Sequence, residues 1–249
     1  MINLNNKTAY TKKFSNHLKT KNLTKDDAAK MHIGALQGFD RIGYIGAELI
    51  KRHLIREDGG FLIDVGCGSG RMASYLSDWK ELKYLGTDVV KKILRYAKQR
   101  ANRPDWEFKE IHSFEIPAEN NSADAVCFFS VLTHLLHEQS FLYLQEAQRV
   151  IRPGGKIGFS FLEFTDRIHQ RQFRELVRTA KSRDVLSIFF DRPAIQFWAK
   201  ELGLEIVTIL DGSKPMFHLD SEVALKDGST ISGGLALGQS FCVLEKKAL

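Results

Sequence analysis

Phe61-Leu-Ile-Asp-Val-Gly-Cys-Gly-Ser-Gly-Arg71 joins an apolar run to three alternate glycines and then to a helical pattern. Phe61, Leu62, Ile63 and Val65 place apolar side chains on both faces of an extended segment, as in an interior strand of a parallel sheet. Gly66, Gly68 and Gly70 let the chain turn tightly and lie against a ligand with no Cβ in the way. In Met72-Ala-Ser-Tyr-Leu76 the apolar spacing becomes helical, so free N–H groups at the helix start face the same ligand. About twenty residues past the glycines, Tyr84-Leu-Gly-Thr-Asp88 reads as a second strand ending in an acid, a group that accepts hydrogen bonds from ribose hydroxyls. Strand, turn, helix, strand and acid in this order predict a doubly wound α/β sheet that holds a nucleotide-type cofactor.

The spacing chooses between cofactors. The dinucleotide fingerprint G-x-G-x-x-G needs glycine at position 71, where Arg71 stands. The pattern here is Asp64-x-Gly66-x-Gly68-x-Gly70, which resembles the first motif of the class I S-adenosylmethionine (SAM)-dependent methyltransferases. The resemblance continues in Ile116-Pro117, a polar turn and Asp124-Ala-Val-Cys-Phe-Phe129, similar to that family's entry into its fourth strand. Glu146-Ala-Gln-Arg149-Val-Ile-Arg-Pro153-Gly154-Gly155-Lys156 looks like the family's turn into strand five, where Pro and Gly-Gly stop a helix before Lys156 to Leu162 resumes as strand. Pro193 to Leu202 reads as an amphipathic helix, Leu204 to Leu210 as strand six and Gln239 to Glu245 as strand seven. The resemblance spans roughly residues 40–162 and 191–247. It implies a Rossmann-like, doubly wound sheet of seven strands, mostly parallel with an antiparallel last strand, carrying a helical N-terminal lid and insertions.

Composition agrees with one soluble enzyme domain: 249 residues, 43% of them hydrophobic, can bury one sizeable core. No stretch approaches the roughly 18 apolar residues of a membrane span, and the start of the chain lacks a signal-peptide core, so a cytoplasmic protein is expected. Cys67, Cys127 and Cys242 are isolated and odd in number, which suits reduced thiols. No Cys or His pair stands at ligand spacing, so no metal is expected. The net charge of +6 is partly local, with Lys7, Lys12, Lys13, Lys19, Lys21, Lys25 and Lys30 facing Asp26 and Asp27 near the N-terminus. Solvated lysines on a partly ordered leader account for this better than a nucleic-acid arm. The Asn/Asp-Pro-Pro-aromatic tetrad of amine-directed base methyltransferases is missing, since Phe129-Ser-Val-Leu-Thr-His134 follows the fourth strand. A Pro-Cys nucleophile is missing too.

A single domain over 1–249 divides into a leader or lid (1–50), a cofactor core (51–162), a helical insertion (163–190) and the rest of the sheet (191–249) with a hairpin insertion over 211–238. In the leader, Ala28 to Leu36 and Gly43 to Ile50 read as helical. In the first insertion Ile168, Phe173, Leu176 and Val177 are spaced as one apolar helical face. In the second, Asp-Gly-Ser and Gly-Gly turns predict the hairpin. The three segments outside the sheet should carry substrate specificity.

The resemblance implies roles position by position. Asp64 orients the methionine end of SAM through the loop, unless it only organises the loop; Gly66, Gly68 and Gly70 let SAM lie on backbone. Asp88 grips the ribose and Val89 packs on the adenine. His112 or Ser113 stands where the family commonly has an Asp for the adenine amino group. Ser130 lies beside the methionine amine. His134, after strand four, is the candidate base for a hydroxyl acceptor, because an imidazole near its ordinary pKa exchanges protons at neutral pH. His137, Tyr10, Tyr44, Glu163, His169 and His218 are further candidates for the acceptor side, each also explicable by packing or solvation, and Glu146 with Arg149 is expected to support the fold as an ion pair. The reading is a methyltransferase acting on oxygen or nitrogen of a small metabolite, with Thr133-His-Leu and Gly238 to Leu244 similar to sugar or secondary-metabolite tailoring enzymes. It implies a small-molecule acceptor, with neither nucleic acid nor membrane as partner. A SAM-binding regulator without turnover and a nicotinamide oxidoreductase are the competing readings.

Overall fold

In the computed structural model the apolar run forms β1 (Gly60–Val65), paired in parallel with β2 (Leu82–Asp88) on one side and β4 (Ala123–Phe128) on the other. The structure describes residues 11–13, 15, 16, 19, 24–32, 38–181 and 185–248. β3 (Glu107–Glu110) joins the outer edge of β2 in parallel, and β5 (Ile151–Glu163) runs parallel to β4. β10 (Ser240–Lys246) is inserted antiparallel between β5 and β7 (Leu204–Leu210). The resulting order, β3-β2-β1-β4-β5-β10-β7, is the Rossmann-like sheet with an antiparallel last strand that the sequence predicts. A short β6 (Phe189–Phe190) adds to the end of β5, too brief to carry a strand pattern of its own.

Period-two alternation sends successive residues of each strand to opposite faces. Leu62, Ala125, Cys127, Phe241 and Val243 pack on one face with α2 (Phe39–His53) and α3 (Arg71–Leu76). Ile63, Val65, Val126, Phe128, Cys242 and Leu244 pack on the other with α5 (His137–Val150) and α7 (Arg192–Glu201). Phe128, Phe159 and Phe161 have no exposed surface, and burying such a side chain stabilises by roughly 1.5–3 kcal/mol. α1 (Lys25–His32) precedes α2 in the leader, and α4 (Lys91–Ala101) links β2 to β3 and packs beside α3.

The expected stop at Pro153-Gly154-Gly155 lies inside β5. α5 ends at Val150, Ile151 already pairs with Ala123, and the ladder resumes with Lys156 opposite Ala125. Residues 152–155 bulge out between those pairs, with Gly154 in the left-handed region at φ 75°. Asp124 secures this edge by accepting the Phe61 N–H at 2.7 Å and pairing with Arg152 at 2.6 Å. Glu146 and Arg149 form the expected ion pair at 2.8 Å, and they also hold the loop before β4 through the Ile116 N–H and the Ile116 and Ala118 carbonyls.

Between β7 and β10 an antiparallel hairpin, β8 (Phe217–Ala224) and β9 (Thr230–Leu235), lays Phe217, Ile231 and Leu235 on the α2 face. α6 (Arg167–Arg178) departs from its apolar spacing: Ile168, Phe173 and Val177 are 46%, 41% and 57% exposed, and the residue it buries completely is His169. Polar bonds explain the orientation. His169 Nδ1 accepts the Glu163 N–H at 3.1 Å, which makes Nε2 the donor to the Gly238 carbonyl at 3.1 Å. Asp166 caps the helix through the Ile168 N–H, and Glu163 is held by Nε and one terminal nitrogen of Arg192 and by the Ser240 hydroxyl. Glu163 and His169 therefore serve as anchors of α6.

Candidate active site

The C-terminal ends of β1, β2 and β4 open onto a cavity of about 360 Å³, the place where doubly wound sheets bind ligands. Its floor is the loop after β1. The Gly66 and Cys67 N–H groups donate to the Thr87 carbonyl at 2.8 and 2.9 Å, which ties the loop to β2. Gly66 sits at φ 75°, and a Cβ there would lie 2.4 Å from Val131 Cγ2. At Gly70, φ 81°, a Cβ would lie 2.6 Å from Ala97 Cα in α4. Only glycine serves at either point.

Asp88 faces the cavity from the end of β2. Its carboxylate accepts the Gly68 N–H at 3.0 Å and the Val90 N–H at 2.8 Å. Desolvation pushes its pKa up to about 6 against those two bonds, which favour the charged form. Val89 and Ile111 add apolar wall beside it. Asp64 takes a different place: it is 1% exposed beneath the loop, outside the cavity lining, and accepts the Tyr84 hydroxyl at 2.7 Å. Burial likewise raises its pKa to about 6.

Gly66, Gly68, Asp88, Val89, Ser130 and His134 thus meet at one cavity. Gly70 stands behind the lining at the start of α3. His112, with a side chain 62% exposed beside Glu110, and Ser113, whose hydroxyl accepts the Glu115 N–H, are not among the residues that line it, whereas their neighbour Ile111 is. His137 bonds the Phe189 carbonyl and packs on Phe190 and Trp198. Tyr44 packs edge-on against Tyr75, and His218 is on an exposed position of β8. Tyr10 lies outside the described residues.

Ser130 ends β4 in the left-handed region at φ 56°, a conformation that costs a non-glycine residue about 1–2 kcal/mol. Its N–H donates to Ser160 Oγ at 2.7 Å, which holds it there. His134, in a single 3₁₀ turn (Leu132–His134), has Nδ1 2.7 Å from the Leu186 carbonyl. Since a carbonyl only accepts, Nδ1 carries the proton and Nε2 the lone pair. Burial, with a smaller contribution from Lys13, lowers the His134 pKa and keeps the ring neutral.

Sequence reasoning did not single out Arg71, Gln172 or Gln239 as cavity residues, and it left Lys13 among solvated lysines. Arg71 adjoins the glycine motif directly, a signal that was available. It is 7% exposed, its Nε has no hydrogen-bond partner among the described residues, and burial lowers its pKa to about 10. A buried guanidinium at the cavity wall, its Nε without a hydrogen-bond partner among the described residues, fits a carboxylate ligand. With Asp88 for a ribose, apolar Val89 and Ile111 for a base and glycine backbone along the floor, the residues fit SAM. No group of three or more His, Cys, Asp or Glu side chains among the described residues could hold a metal ion.

Residues 63–159 match the family model described as methyltransferase domain. The chain is 31% identical over 99 residues to a fatty-acid O-methyltransferase of Mycolicibacterium smegmatis, covering 39% of this chain and 35% of that protein. It is 28% identical over 165 residues to a tRNA U34 carboxymethyltransferase of Hahella chejuensis, covering 65% of this chain and 50% of that one. The matches therefore span half or less of these two relatives. The magnesium protoporphyrin IX methyltransferase of Synechocystis PCC 6803, solved with bound S-adenosylhomocysteine (SAH), superimposes with a TM-score of 0.59 at 12% identity, covering 95% of this chain and 94% of that chain. Motif, sheet order and family match agree: residues 63–159 match a methyltransferase domain, the fold is that of the class I S-adenosylmethionine-dependent methyltransferases, and SAM is the cofactor that fits the site.

Proposed function

We propose that the protein transfers a methyl group from SAM to an oxygen or nitrogen of a small metabolite. The observation that carries this reading is a single cavity in which the glycine loop and Asp88 face the same space as His134. SAM, when bound, supplies an electrophilic methyl on a sulfonium. In this reading Asp88 accepts from the ribose hydroxyls, Arg71 pairs with the methionine carboxylate, and Val89 and Ile111 cover the adenine. Asp64 works from beneath, by holding Tyr84 and the loop. His134 takes the proton of a hydroxyl acceptor on Nε2 while the Leu186 carbonyl orients the ring. Three buried free cysteines, Cys67, Cys127 and Cys242, suit a reducing compartment such as the cytoplasm, and no described helix is long and apolar enough to cross a membrane.

The named relatives act on acceptors as different as a fatty acid and a tRNA, so the test compares acceptor classes directly. Labelled SAM is incubated with the protein and either a small-metabolite extract or total tRNA. Label in a low-mass product supports the proposal. Label in tRNA alone, or sequence-selective RNA binding at about 150 mM salt, where weak electrostatic binding is largely suppressed, replaces it.

A further inference from the structure

α6 carries an apolar surface that the fold leaves uncovered. Of the seven large hydrophobic side chains exposed among the described residues, four are Phe164, Ile168, Phe173 and Val177, so the exposure is gathered on one segment instead of scattered singly as on an ordinary surface. The Phe164 and Phe173 rings meet edge-on at 5.2 Å, and both pack on Phe189, at 4.8 and 5.5 Å. The patch therefore has a fixed aromatic base. His169, the one fully buried residue of α6, secures the helix through the Glu163 N–H and the Gly238 carbonyl, which leaves Phe173 and Val177, one turn apart, at the surface.

The same helix carries a stripe of positive charge. Arg167, Arg171, Arg174 and Arg178 follow one another at intervals of four, three and four residues, the spacing of a single helical face, and all four are exposed. Arg174 and Arg178 each come one residue after Phe173 and Val177, so the stripe borders the apolar strip. Glu175 is the one acid within α6, and it pairs with Arg178 at 2.6 Å; Arg167, Arg171 and Arg174 have no ion-pair partner among the described residues. Asp166, just ahead of the helix, is buried in its capping bonds. Exposed aromatic and aliphatic side chains bordered by guanidinium groups call for a partner with an apolar interior behind an anionic surface, the construction of a bilayer that contains acidic lipids. A helix with a single buried residue stands proud of the body, which suits a fluid surface that moulds around it. Such contact needs no membrane-crossing segment, so it departs from the expectation of no membrane partner and still agrees with the lack of a spanning helix among the described residues.

We propose that α6 is an interfacial helix that docks the protein on an anionic lipid bilayer, with Phe164, Phe173 and Val177 entering the boundary between headgroups and acyl chains and the arginine stripe pairing with the lipid anions. Gln172 of the same helix lines the catalytic cavity, so docking through α6 seats that cavity beside the lipid.

The test is sedimentation of the full chain with vesicles of phosphatidylcholine alone or of phosphatidylcholine with about 30% phosphatidylserine, at about 150 mM salt. The parent should bind the anionic vesicles tenfold or more tightly than the neutral ones. Arg171→Gln with Arg174→Gln should weaken that binding tenfold or more, since each basic residue near an anionic leaflet contributes roughly fivefold. Phe173→Ser with Val177→Ser should weaken it to a similar extent, while both variants keep SAH affinity within about twofold of the parent. If the serine variant lost SAH affinity, its fold would be disturbed, and the arginine variant, altered only at exposed positions, would decide. No binding of the parent to anionic vesicles, or parental binding by the arginine variant, would overturn the proposal. Binding to polyglutamate as tight as to anionic vesicles and unchanged in the serine variant would overturn it as well, by showing that charge alone acts. A parent that is dimeric by light scattering and becomes monomeric on Val177→Ser would give this face to a second copy of the chain instead. SAH binding is read separately, so failure of the cofactor reading and failure of lipid docking are distinct results.

Discussion

The Asp88 carboxylate accepts the Gly68 amide N–H at 3.0 Å, so the acid that ends β2 reaches across to the glycine turn that ends β1. One side chain both braces the loop and faces the ligand space. Its raised pKa of about 6 makes cofactor binding depend on pH. Protonation below that value removes the charge that ribose hydroxyls would meet, so SAM affinity should fall about tenfold between pH 7 and pH 5, the change expected for one required ionisation near 6. Asp88→Ala should weaken SAM by about 1.5–3 kcal/mol, the range for a hydrogen bond to a charged group, and should flatten that pH dependence. Calorimetric titration of both proteins at the two pH values checks this, and a folded variant with parental affinity would refute the ribose role.

Asp64 gives a prediction about stability instead of binding. Its folded pKa, raised by burial from 3.8 to about 6, lies above the unfolded value. The folded state therefore binds the proton more tightly, and this group's contribution is full below about pH 4 and lost as pH rises through 6. A shift of that size corresponds to on the order of 3 kcal/mol. Asp64→Asn keeps an oxygen for the Tyr84 hydroxyl and cannot ionise. Urea unfolding from pH 4 to 7 should show a shallower loss of stability for the variant than for the parent; parallel curves would mean that Asp64 is not the titrating group.

Much of this site was legible because β1, the glycine loop and Asp88 are close in sequence and each obeys a local rule: apolar strand, left-handed turn, terminal acid. The mostly parallel sheet with its antiparallel last strand followed from the family resemblance that these motifs carry, and His134 was placed by its position just past β4. Lys13, Gln172 and Gln239 belong to distant segments, and no spacing relates them until the sheet closes. His112 and Ser113 were inferred from a family position, whereas the residue of that turn that lines the cavity is Ile111. The orientation of α6 was not legible in its apolar spacing, and only the partners of Glu163 and His169 show why it is held by polar groups.

The loop glycines differ from glycines that merely occupy turns. Gly66→Ala places a methyl 2.4 Å from Val131 Cγ2 at φ 75°, whereas Gly228→Ala at φ 84° meets nothing within 4 Å. Left-handed strain of about 1–2 kcal/mol applies to both. Overpacking of typically 1–3 kcal/mol applies to Gly66 alone. Urea unfolding should therefore rank Gly66→Ala as the more destabilised, and only Gly66→Ala should lose SAM affinity. Equal losses in the two variants would show that Val131 yields and the loop is not pinned.

His134 is the candidate base, and the geometry adds a reason beyond its position. Nδ1 donates to the Leu186 carbonyl at 2.7 Å, so the lone pair sits on Nε2, while burial holds the pKa below its ordinary value. The neutral, proton-accepting form thus dominates at pH 7, and the rate should decline only as pH falls below about 6.5, the unperturbed imidazole value. For a hydroxyl acceptor, His134→Ala should leave SAM affinity nearly unchanged and lower kcat by about 10²–10⁴-fold, the contribution of a positioned acid–base group. The acidic limb of the pH profile should vanish with it. His134→Gln separates this role from packing, because its amide can donate to Leu186 and still cannot serve as a base at neutral pH. If His134→Gln kept parental kcat and the parental acidic limb, proton removal by His134 would be ruled out, and catalysis would rest on how the cavity aligns acceptor and methyl group.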